Sequence, residues 1–346
     1  MNTVTSGAAP AGGAPAAFIT GLAGLQLSAD ERRFLAEAQP WGLILFARNV
    51  ETPRQVAALV DDARSALGRE APVLIDQEGG RVARLRPPHW FGWPPVRGTV
   101  DTLPLDEAAR ALRLRFSIIA AELRALGIDV DCMPLLDVPQ PDAHAIIGNR
   151  ALGDTPQQVA TLGTAVVEGL REGGVLPVIK HLPGHGRAGG DSHETLPRVT
   201  TSRDELERVD FAAFSPLAGE VLGMTAHIVY DALDPDRCAT HSPACIRVIR
   251  EEIGFDGLLM TDDLSMKALT GPMGARAADA LAAGCDIALH CNGDMAEMEA
   301  VAAAVPPLSG LALDRVGCAE QARPPAGGFD ADAALADYRA LTGEMA

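Results

Sequence analysis

Apolar runs that end at polar residues alternate with amphipathic helical patterns along most of this chain. We predict eight strands, at Phe18–Leu22, Gly42–Phe46, Val73–Asp76, Asp129–Leu135, Leu176–His181, Val221–Ala226, Gly257–Thr261 and Asp286–Leu289. Helix-start signals lie between them: a capping box at Ser28, and Pro in the first turn after Thr52, Thr155 and Ser242. This repeated strand–helix unit predicts one α/β domain, a single-domain (β/α)8 TIM barrel. A doubly wound sheet is the alternative, because a sequence does not reveal strand order.

The two ends of the chain differ from the repeating part. Residues 1–16 are rich in Ala, Gly and Pro, a composition typical of a disordered leader. Residues 17–346 would then form the barrel, and Asp330–Leu341 has the pattern of a helix in a C-terminal tail packed on the outside.

Composition narrows the class of protein. The net charge of −17 disfavours a nucleic-acid partner, because a basic surface is needed to offset phosphate repulsion. No apolar run reaches the length of about 18 residues that a membrane helix needs. The N-terminus lacks the features of a secretory signal, and the six cysteines are scattered, as expected for free thiols in a reducing compartment. We therefore expect a cytoplasmic monomer with neither a nucleic-acid nor a membrane partner.

Polar residues cluster where the predicted strands end. Asp76 follows the third strand, Lys180 and His181 close the fifth, His227 follows the sixth and Asp262 follows the seventh. In a (β/α)8 barrel these ends share one face, which is where active sites form. A structural ring of salt bridges is the alternative reading, because buried charges must be neutralised.

The segment that begins at the end of the fifth predicted strand has a high density of ionisable residues. It places one Lys, three His and one Asp between Lys180 and His193, within 14 residues broken by Gly and Pro. His181, His185, His193 and Asp191 are residue types that bind zinc, but Lys180 and Arg187 add positive charge that disfavours a cation. The string Gly184-x-Gly186-x-x-Gly189 lacks the following helix that a dinucleotide site needs. We predict no metal and no cofactor, with a metal-dependent hydrolase as an alternative.

Four motifs together resemble the family-3 glycoside hydrolases, and within them the bacterial cytoplasmic β-N-acetylglucosaminidases of cell-wall recycling. They are Ile75–Arg84 (IDQEGGRVAR), Lys180–Gly186 (KHLPGHG) with Asp191–His193 (DSH), Met224–His227 (MTAH) and Thr261–Met266 (TDDLSM). The surrounding pattern fits from about residue 17 to residue 305. Many members carry a second α/β domain that supplies the acid/base. This chain's length matches the single-domain branch, which uses an Asp–His pair on a loop.

The resemblance implies a role for each matching residue. Asp262 would be the nucleophile, and His193 the general acid/base, oriented and polarised by Asp191. The residues that would hold the sugar are Asp76, Arg84, Arg150, Lys180 and His181. Asp263 could equally be a structural carboxylate, and it is left out of the catalytic set because strand alternation would point it to the other face.

The implied reaction is a retaining double displacement that removes terminal β-linked N-acetylglucosamine from peptidoglycan fragments. The partner is then a small carbohydrate. Because neutral imidazole would not repel an anionic acceptor, phosphate could compete with water, with Arg187 helping to hold it. A glycosidase or phosphorylase of other sugar specificity and a non-catalytic sugar-binding protein remain further alternatives.

Overall fold

The computed structural model describes residues 13–141, 145–190, 195–324 and 328–343. Its strands are β1 (Ala16–Gly21), β2 (Pro40–Leu45), β3 (Val73–Ile75), β4 (Val130–Asp131), β5 (Leu176–Pro177), β6 (Ile179–Leu182), β7 (Arg198–Val199), β8 (Leu222–Thr225), β9 (Val229–Tyr230), β10 (Leu258–Met260) and β11 (Ala288–His290).

The α-helices are α1 (Ala29–Ala38), α2 (Pro53–Leu67), α3 (Val96–Thr102), α4 (Leu105–Arg124), α5 (Pro156–Glu172), α6 (Arg203–Glu205), α7 (Ala212–Phe214), α8 (Pro243–Arg247), α9 (Met273–Ala283), α10 (Met295–Ala304), α11 (Gly310–Gln321) and α12 (Ala331–Thr342). π-Helical turns over Leu206–Phe211 and Val248–Glu252 extend α6 and α8, and short 3-10 turns cover Ala47–Asn49, Gly148–Arg150, Ser215–Leu217 and Ala239–His241.

The strands pair in parallel in two main sheets. The first has the order β11-β1-β2-β3-β4-β5, and the second has the order β10-β8-β6. Only Val178 separates β5 from β6, and Met260 at the end of β10 forms a parallel bridge with Ile287, just before β11. The strands of the first sheet follow chain order without the reversal that a doubly wound sheet requires. The fold is α/β, and the carboxyl ends of its parallel strands lie on one side.

Strand alternation divides the apolar residues into two cores. Phe18, Leu43 and Val73 belong to a large core that also contains the buried faces of the helices. Ile19 and Leu74, next to them in the strands, belong to a smaller core that draws on strands of both sheets. Alternate residues of a strand point to opposite faces, so the two cores are the two sides of the strand layer.

The predicted elements are confirmed, with differences at their boundaries. The fourth strand was predicted over Asp129–Leu135 but pairs regularly only over Val130–Asp131. Pro134 has no N–H to donate, so regular pairing cannot run through it. The capping box at Ser28 is present, since Glu31 N donates to Ser28 Oγ (3.1 Å) and Ser28 N donates to Glu31 Oε2 (3.0 Å).

Both ends of the described chain are tied to the fold. β1 begins at Ala16, inside the predicted leader, and Ala16 N donates to Gln39 O at 2.8 Å. Residues 1–12 lie outside the described ranges. The predicted tail helix is α12, where the buried Tyr338 packs edge-on against Trp93 with ring centres 5.2 Å apart.

Two further observations concern the thiols and the helices. All six cysteines are free, and five of them are buried. None of the helices in the described ranges combines the length and the apolar character needed to cross a bilayer.

Candidate active site

A cavity of about 210 Å³ opens at the carboxyl ends of the strands. Six of the predicted site residues line it, namely Asp76, Arg84, Arg150, Lys180, His181 and Asp262. Its other lining residues include the apolar Ile44, Phe46, Met224, Met266, Leu289 and Cys291. This volume is below the ~300–1,000 Å³ of sites for drug-sized ligands, so it suits one small polar ring. The two remaining predicted residues, Asp191 and His193, lie outside the described residues.

Lys180 joins two carboxylates in the floor of the cavity. Its Nζ lies 3.0 Å from Asp76 Oδ1 and 2.7 Å from Glu78 Oε1. The Lys180 and Glu78 side chains are each only 2% exposed, whereas that of Asp76 is 17% exposed. Asp76 follows β3 directly and Lys180 lies within β6, so the fold joins residues 104 positions apart.

Two arginines complete this ionic network. Arg150 donates to both oxygens of Glu78, from Nε and from NH2, each at 2.8 Å. Arg84 donates from NH2 to Asp76 Oδ2 at 3.0 Å, and its guanidinium lies 5.1 Å from the ring centre of Phe46. Bidentate arginine–carboxylate pairs fix geometry as well as charge. That pair fixes Glu78, whereas Asp76 is oriented toward the cavity by two separate donors, Lys180 at Oδ1 and Arg84 at Oδ2.

The network keeps its charged groups ionised despite burial. Burial alone would raise the pKa of Glu78, but Arg150 and Lys180 outweigh it and lower that pKa to about 2. Burial also opposes the ionisation of Asp76, yet Lys180 and Arg84 hold the pKa of that carboxyl below its ordinary value. The pKa of Lys180 is raised, because the attraction of the two carboxylates exceeds the cost of burial. At neutral pH the cavity thus offers a fixed carboxylate between fixed cations.

Asp137 holds two histidines, His181 in β6 and His185 just after it. Its buried carboxylate accepts three hydrogen bonds, from His181 Nδ1 (2.7 Å), from His181 N (3.2 Å) and from His185 N (2.6 Å). With the Nδ1 proton directed at Asp137, the Nε2 atom of His181 is left to face the cavity. Burial lowers the pKa of His185 to about 4, so this second ring is neutral at pH 7.

Glycine is required where the β3 loop meets a buried arginine. Gly79 has φ +101°, and a Cβ there would lie 2.0 Å from Arg115 NH2. Arg115 is fully buried in α4 and donates to the carbonyls of Glu78 (2.8 Å) and Pro94 (2.6 Å). Through these hydrogen bonds Arg115 stabilises the loop that carries Asp76, Glu78 and Arg84.

The segment after β10 carries Asp262. Asp263 N donates to Asp262 Oδ1 at 2.8 Å, which orients that carboxylate within its own turn. The Asp263 carboxylate accepts from Cys291 N and from both Ser265 N and Ser265 Oγ. The expectation that strand alternation points Asp263 to the other face is wrong, because β10 ends at Met260 and Asp263 lines the same cavity as Asp262; its carboxylate is nevertheless engaged by protein groups.

Comparison of the sequence with known proteins identifies the family. Residues 15–318 match the glycosyl hydrolase family 3 N terminal domain, a match that spans most of the chain. The chain belongs to glycosyl hydrolase family 3. A beta-hexosaminidase of Alkalilimnicola ehrlichii is 42% identical over 282 residues, which is 79% of this chain and 79% of that protein.

Solved structures resemble this family-3 enzyme along nearly its whole length. NagZ from Neisseria gonorrhoeae in complex with N-trifluoroacetyl-D-glucosamine has a TM-score of 0.85 at 30% identity, over 95% of this chain and 98% of that one. NagZ from the same organism in complex with zinc ion has a TM-score of 0.83 at 30% identity, over 95% of this chain and 97% of that one.

In this family-3 enzyme, three residues next to the predicted site residues escaped sequence reasoning. Glu78 holds Lys180 and Arg150 in place, Asp137 holds His181, and Asp131 lies behind them. Burial raises the pKa of Asp131 to about 7, and its Oδ1 accepts from Gln77 N at 3.0 Å. The available signal was position for two of them: Glu78 and Asp137 closely follow predicted strands, as the recognised site residues do, whereas Asp131 lies inside the predicted fourth strand.

Two other expectations concern ions. Arg187 was expected to be able to hold phosphate, but its guanidinium is engaged by Asp210 Oδ2 (2.6 Å) and Glu205 Oε1 (3.0 Å), and the side chain is only 11% exposed. Its charge is thus already neutralised within the fold. Across the described ranges, no group of three or more His, Cys, Asp or Glu side chains is placed to hold a metal ion. Asp191 and His193 are not covered by that search.

Proposed function

We propose that this enzyme is a retaining exo-β-N-acetylglucosaminidase that removes a terminal β-linked N-acetylglucosamine from peptidoglycan fragments. The observation that carries the proposal is the ionic network of Asp76, Arg84, Lys180 and Arg150 beside Asp262 in one small cavity. Sugar hydroxyls need acceptors and donors held in fixed directions, which this network supplies. The likeness to a NagZ structure that holds an N-acylated glucosamine supports the sugar class.

Asp262 is the nucleophile in this proposal. Its carboxylate attacks C1 of the sugar, the bond from C1 to the leaving oxygen breaks, and a covalent glycosyl-enzyme forms. Water then attacks C1 and releases the sugar with its original β configuration. Asp262 suits the role because it lines the cavity and receives Asp263 N on Oδ1 at 2.8 Å.

His193 is the proposed general acid/base, with Asp191 as its partner. An imidazole titrates near neutral pH, so it can donate a proton to the leaving oxygen and then accept one from water. A carboxylate two residues away can stabilise the imidazolium form. In the sequence this pair follows β6, which contains His181, and His185 lies between β6 and the pair.

The proposal also covers the closure of the barrel, the oligomeric state of the enzyme and its location in the cell. We place the eight main strand segments in one closed (β/α)8 barrel, supported by the Met260–Ile287 bridge, by the near continuity of β5 and β6 and by the inner core shared by both sheets. The enzyme would act as a monomer in the cytoplasm on small fragments released during cell-wall recycling. Free buried cysteines fit a reducing compartment.

An assay with aryl β-glycosides tests the sugar and the nucleophile together. We expect the N-acetylglucosaminide to be cleaved and the glucoside and xyloside to be poor substrates. Asp262→Ala should lower kcat by about 10³- to 10⁶-fold, equivalent to about 4–8 kcal/mol. Azide should partly rescue Asp262→Ala and yield the α-glycosyl azide, because a small anion can take the place of the missing carboxylate.

The control for this substitution is Asp62→Ala, which removes a half-exposed carboxylate that pairs with Arg32 on the surface. Its kcat should stay within twofold of the wild type. An Asp262→Ala enzyme that keeps more than about a tenth of the wild-type kcat would refute the nucleophile assignment.

A further inference from the structure

Asp263, the residue after Asp262, is held at each of its polar groups. Its N–H donates to Asp262 Oδ1 (2.8 Å), and its carbonyl oxygen lies 3.0 Å from His227 Nε2. Its carboxylate accepts from Ser265 N (2.9 Å), Ser265 Oγ (2.6 Å) and Cys291 N (3.1 Å). Contacts from the segments that follow β8 and β11 therefore converge on the residue next to Asp262.

The contact with His227 fixes where the proton of that ring lies. A carbonyl oxygen only accepts, so Nε2 must carry the hydrogen. His227 is fully buried, and burial lowers its pKa despite the nearby Asp262, so the ring is neutral at pH 7. A neutral ring with a proton on Nε2 has its lone pair on Nδ1.

The lone pair on His227 Nδ1 determines the next two hydrogen bonds. Thr240 Oγ1 lies 2.8 Å from Nδ1 and 3.2 Å from the carbonyl oxygen of Ala226; because only Thr240 can supply a proton to the Nδ1 lone pair, its single hydroxyl proton is donated to the nearer Nδ1. Thr225 Oγ1 lies 2.8 Å from Thr240 Oγ1 and therefore donates to that oxygen. All three side chains are fully buried, so one order of protons runs from Thr225 through Thr240 and His227 to the carbonyl of Asp263.

We propose that His227 and Asp263 are positioning residues that hold the Asp262 carboxylate in its attacking orientation, with His227 acting as a neutral Nε2–H donor. The proposal rests on the function proposed above, in which Asp262 is the nucleophile. It assigns no contact with substrate to His227, whose two ring nitrogens are both occupied by protein groups.

This role predicts that the loss of His227 affects the rate of the chemical step but not the affinity for the sugar. The sugar-binding network lies on the loop after β3 and on β6, whereas His227 acts on the segment after β10. Loss of the His227 contact should therefore slow attack at C1 while the affinity for the sugar stays the same. A displacement of about 1 Å at a reacting group can cost about 100-fold in rate.

The test measures formation of the glycosyl-enzyme directly. A 5-fluoro glycosyl fluoride of N-acetylglucosamine should react with Asp262, with loss of fluoride from C1, to give a slowly hydrolysed adduct that mass spectrometry detects. We expect His227→Asn, whose amide is too short to reach the carbonyl, to lower the labelling rate constant about 100-fold. His227→Gln retains a donor of similar reach and should come within about tenfold of the wild type.

The matched control is Thr164→Ala. Thr164 Oγ1 also donates to a backbone carbonyl, that of Ala160 at 2.9 Å, but this contact lies within α5 and does not involve the Asp262 segment. Its labelling rate should be that of the wild type. The inhibition constant of N-acetylglucosamine should change less than twofold in all three variants, whereas a general loosening of the fold would raise it.

The ring nitrogens provide an independent signature. In protein with ¹⁵N-labelled histidine, the signals absent from the His227→Gln spectrum identify His227, and their shifts should report a neutral Nε2–H ring between pH 6 and pH 8. A protonated ring, an Nδ1–H ring or unimpaired labelling of His227→Asn would overturn the inference. Labelling of the wild type on a residue other than Asp262 would instead refute the proposed nucleophile.

Discussion

Replacing Glu78 with Gln removes the carboxylate that Lys180 and Arg150 share beneath the cavity. In the wild type Glu78 forms an ion pair with Lys180 (2.7 Å) and accepts two hydrogen bonds from Arg150 (2.8 Å each). A glutamine has nearly the same shape, but its NH2 group would face donors where an acceptor is needed. Breaking a buried ion pair by removing one partner costs about 3–5 kcal/mol.

The acid–base linkage of Glu78 gives a similar magnitude. Its pKa falls from an ordinary 4.5 to about 2 in the folded protein. At about 1.4 kcal/mol per pKa unit, this shift contributes about 3 kcal/mol at pH 7. Because the folded pKa is depressed, the contribution is complete above the unfolded value and is lost as the pH falls toward 2. Glu78→Gln should therefore lower the free energy of unfolding by about 3–5 kcal/mol at pH 7.

Urea denaturation of the wild type and Glu78→Gln, followed between pH 7 and pH 3, measures this effect. The difference in unfolding free energy should be constant from pH 7 to about pH 5 and then narrow by up to about 1.4 kcal/mol per pH unit, because only the wild-type protein loses the Glu78 contribution. KM should rise at the same time, since Lys180 and Arg150 lose the partner that fixes them beside the sugar.

Glu168→Gln is the matched control. Glu168 is half-exposed and pairs with Arg113 on the surface, so its loss should change the unfolding free energy by less than about 1 kcal/mol at any pH. If the Glu78→Gln difference did not narrow below pH 5, the loss would come from packing and the electrostatic reasoning would be wrong.

Four further predictions concern the acid/base, the metal, the loop after β3 and the partner of His181. His193→Ala should slow hydrolysis most for aryl groups that leave poorly, because good leaving groups need little protonation; an equal loss across the series would contradict the acid role. Activity should persist after chelation and dialysis, and a loss restored by zinc would favour the metal-dependent alternative. Gly79→Ala should lower the unfolding free energy by at least about 2 kcal/mol in urea titrations, because its Cβ would lie 2.0 Å from Arg115; Gly68→Ala, also at positive φ but in open space, should cost less, and equal losses would refute the steric reason. Asp137→Asn should raise KM at least about tenfold, because His181 Nδ1 loses its charged partner, and an unchanged KM would show that Asp137 does not orient this ring.

The sequence predicted the layout of the site because that layout depends on local patterns. Strand-like runs end at Asp76, Lys180 and Asp262, and parallel strands bring such ends to one side. Helix starts were equally predictable, since a capping residue acts within its own first turn. The fourth strand was overestimated, because pairing there depends on neighbours and not on its apolar composition alone.

Tertiary structure alone decided which charges pair. Glu78 meets Arg150 across 72 residues, Asp137 meets His181 across 44, and His227 meets the carbonyl of Asp263 across 36. A hydrogen bond depends on distance and direction within a few tenths of an ångström, whereas a sequence pattern reports only the face on which a residue lies. The sequence therefore determined that the residues at the strand ends, such as Asp76, Lys180 and Asp262, reach one cavity, and the folded chain determined the partners that set their charge and orientation.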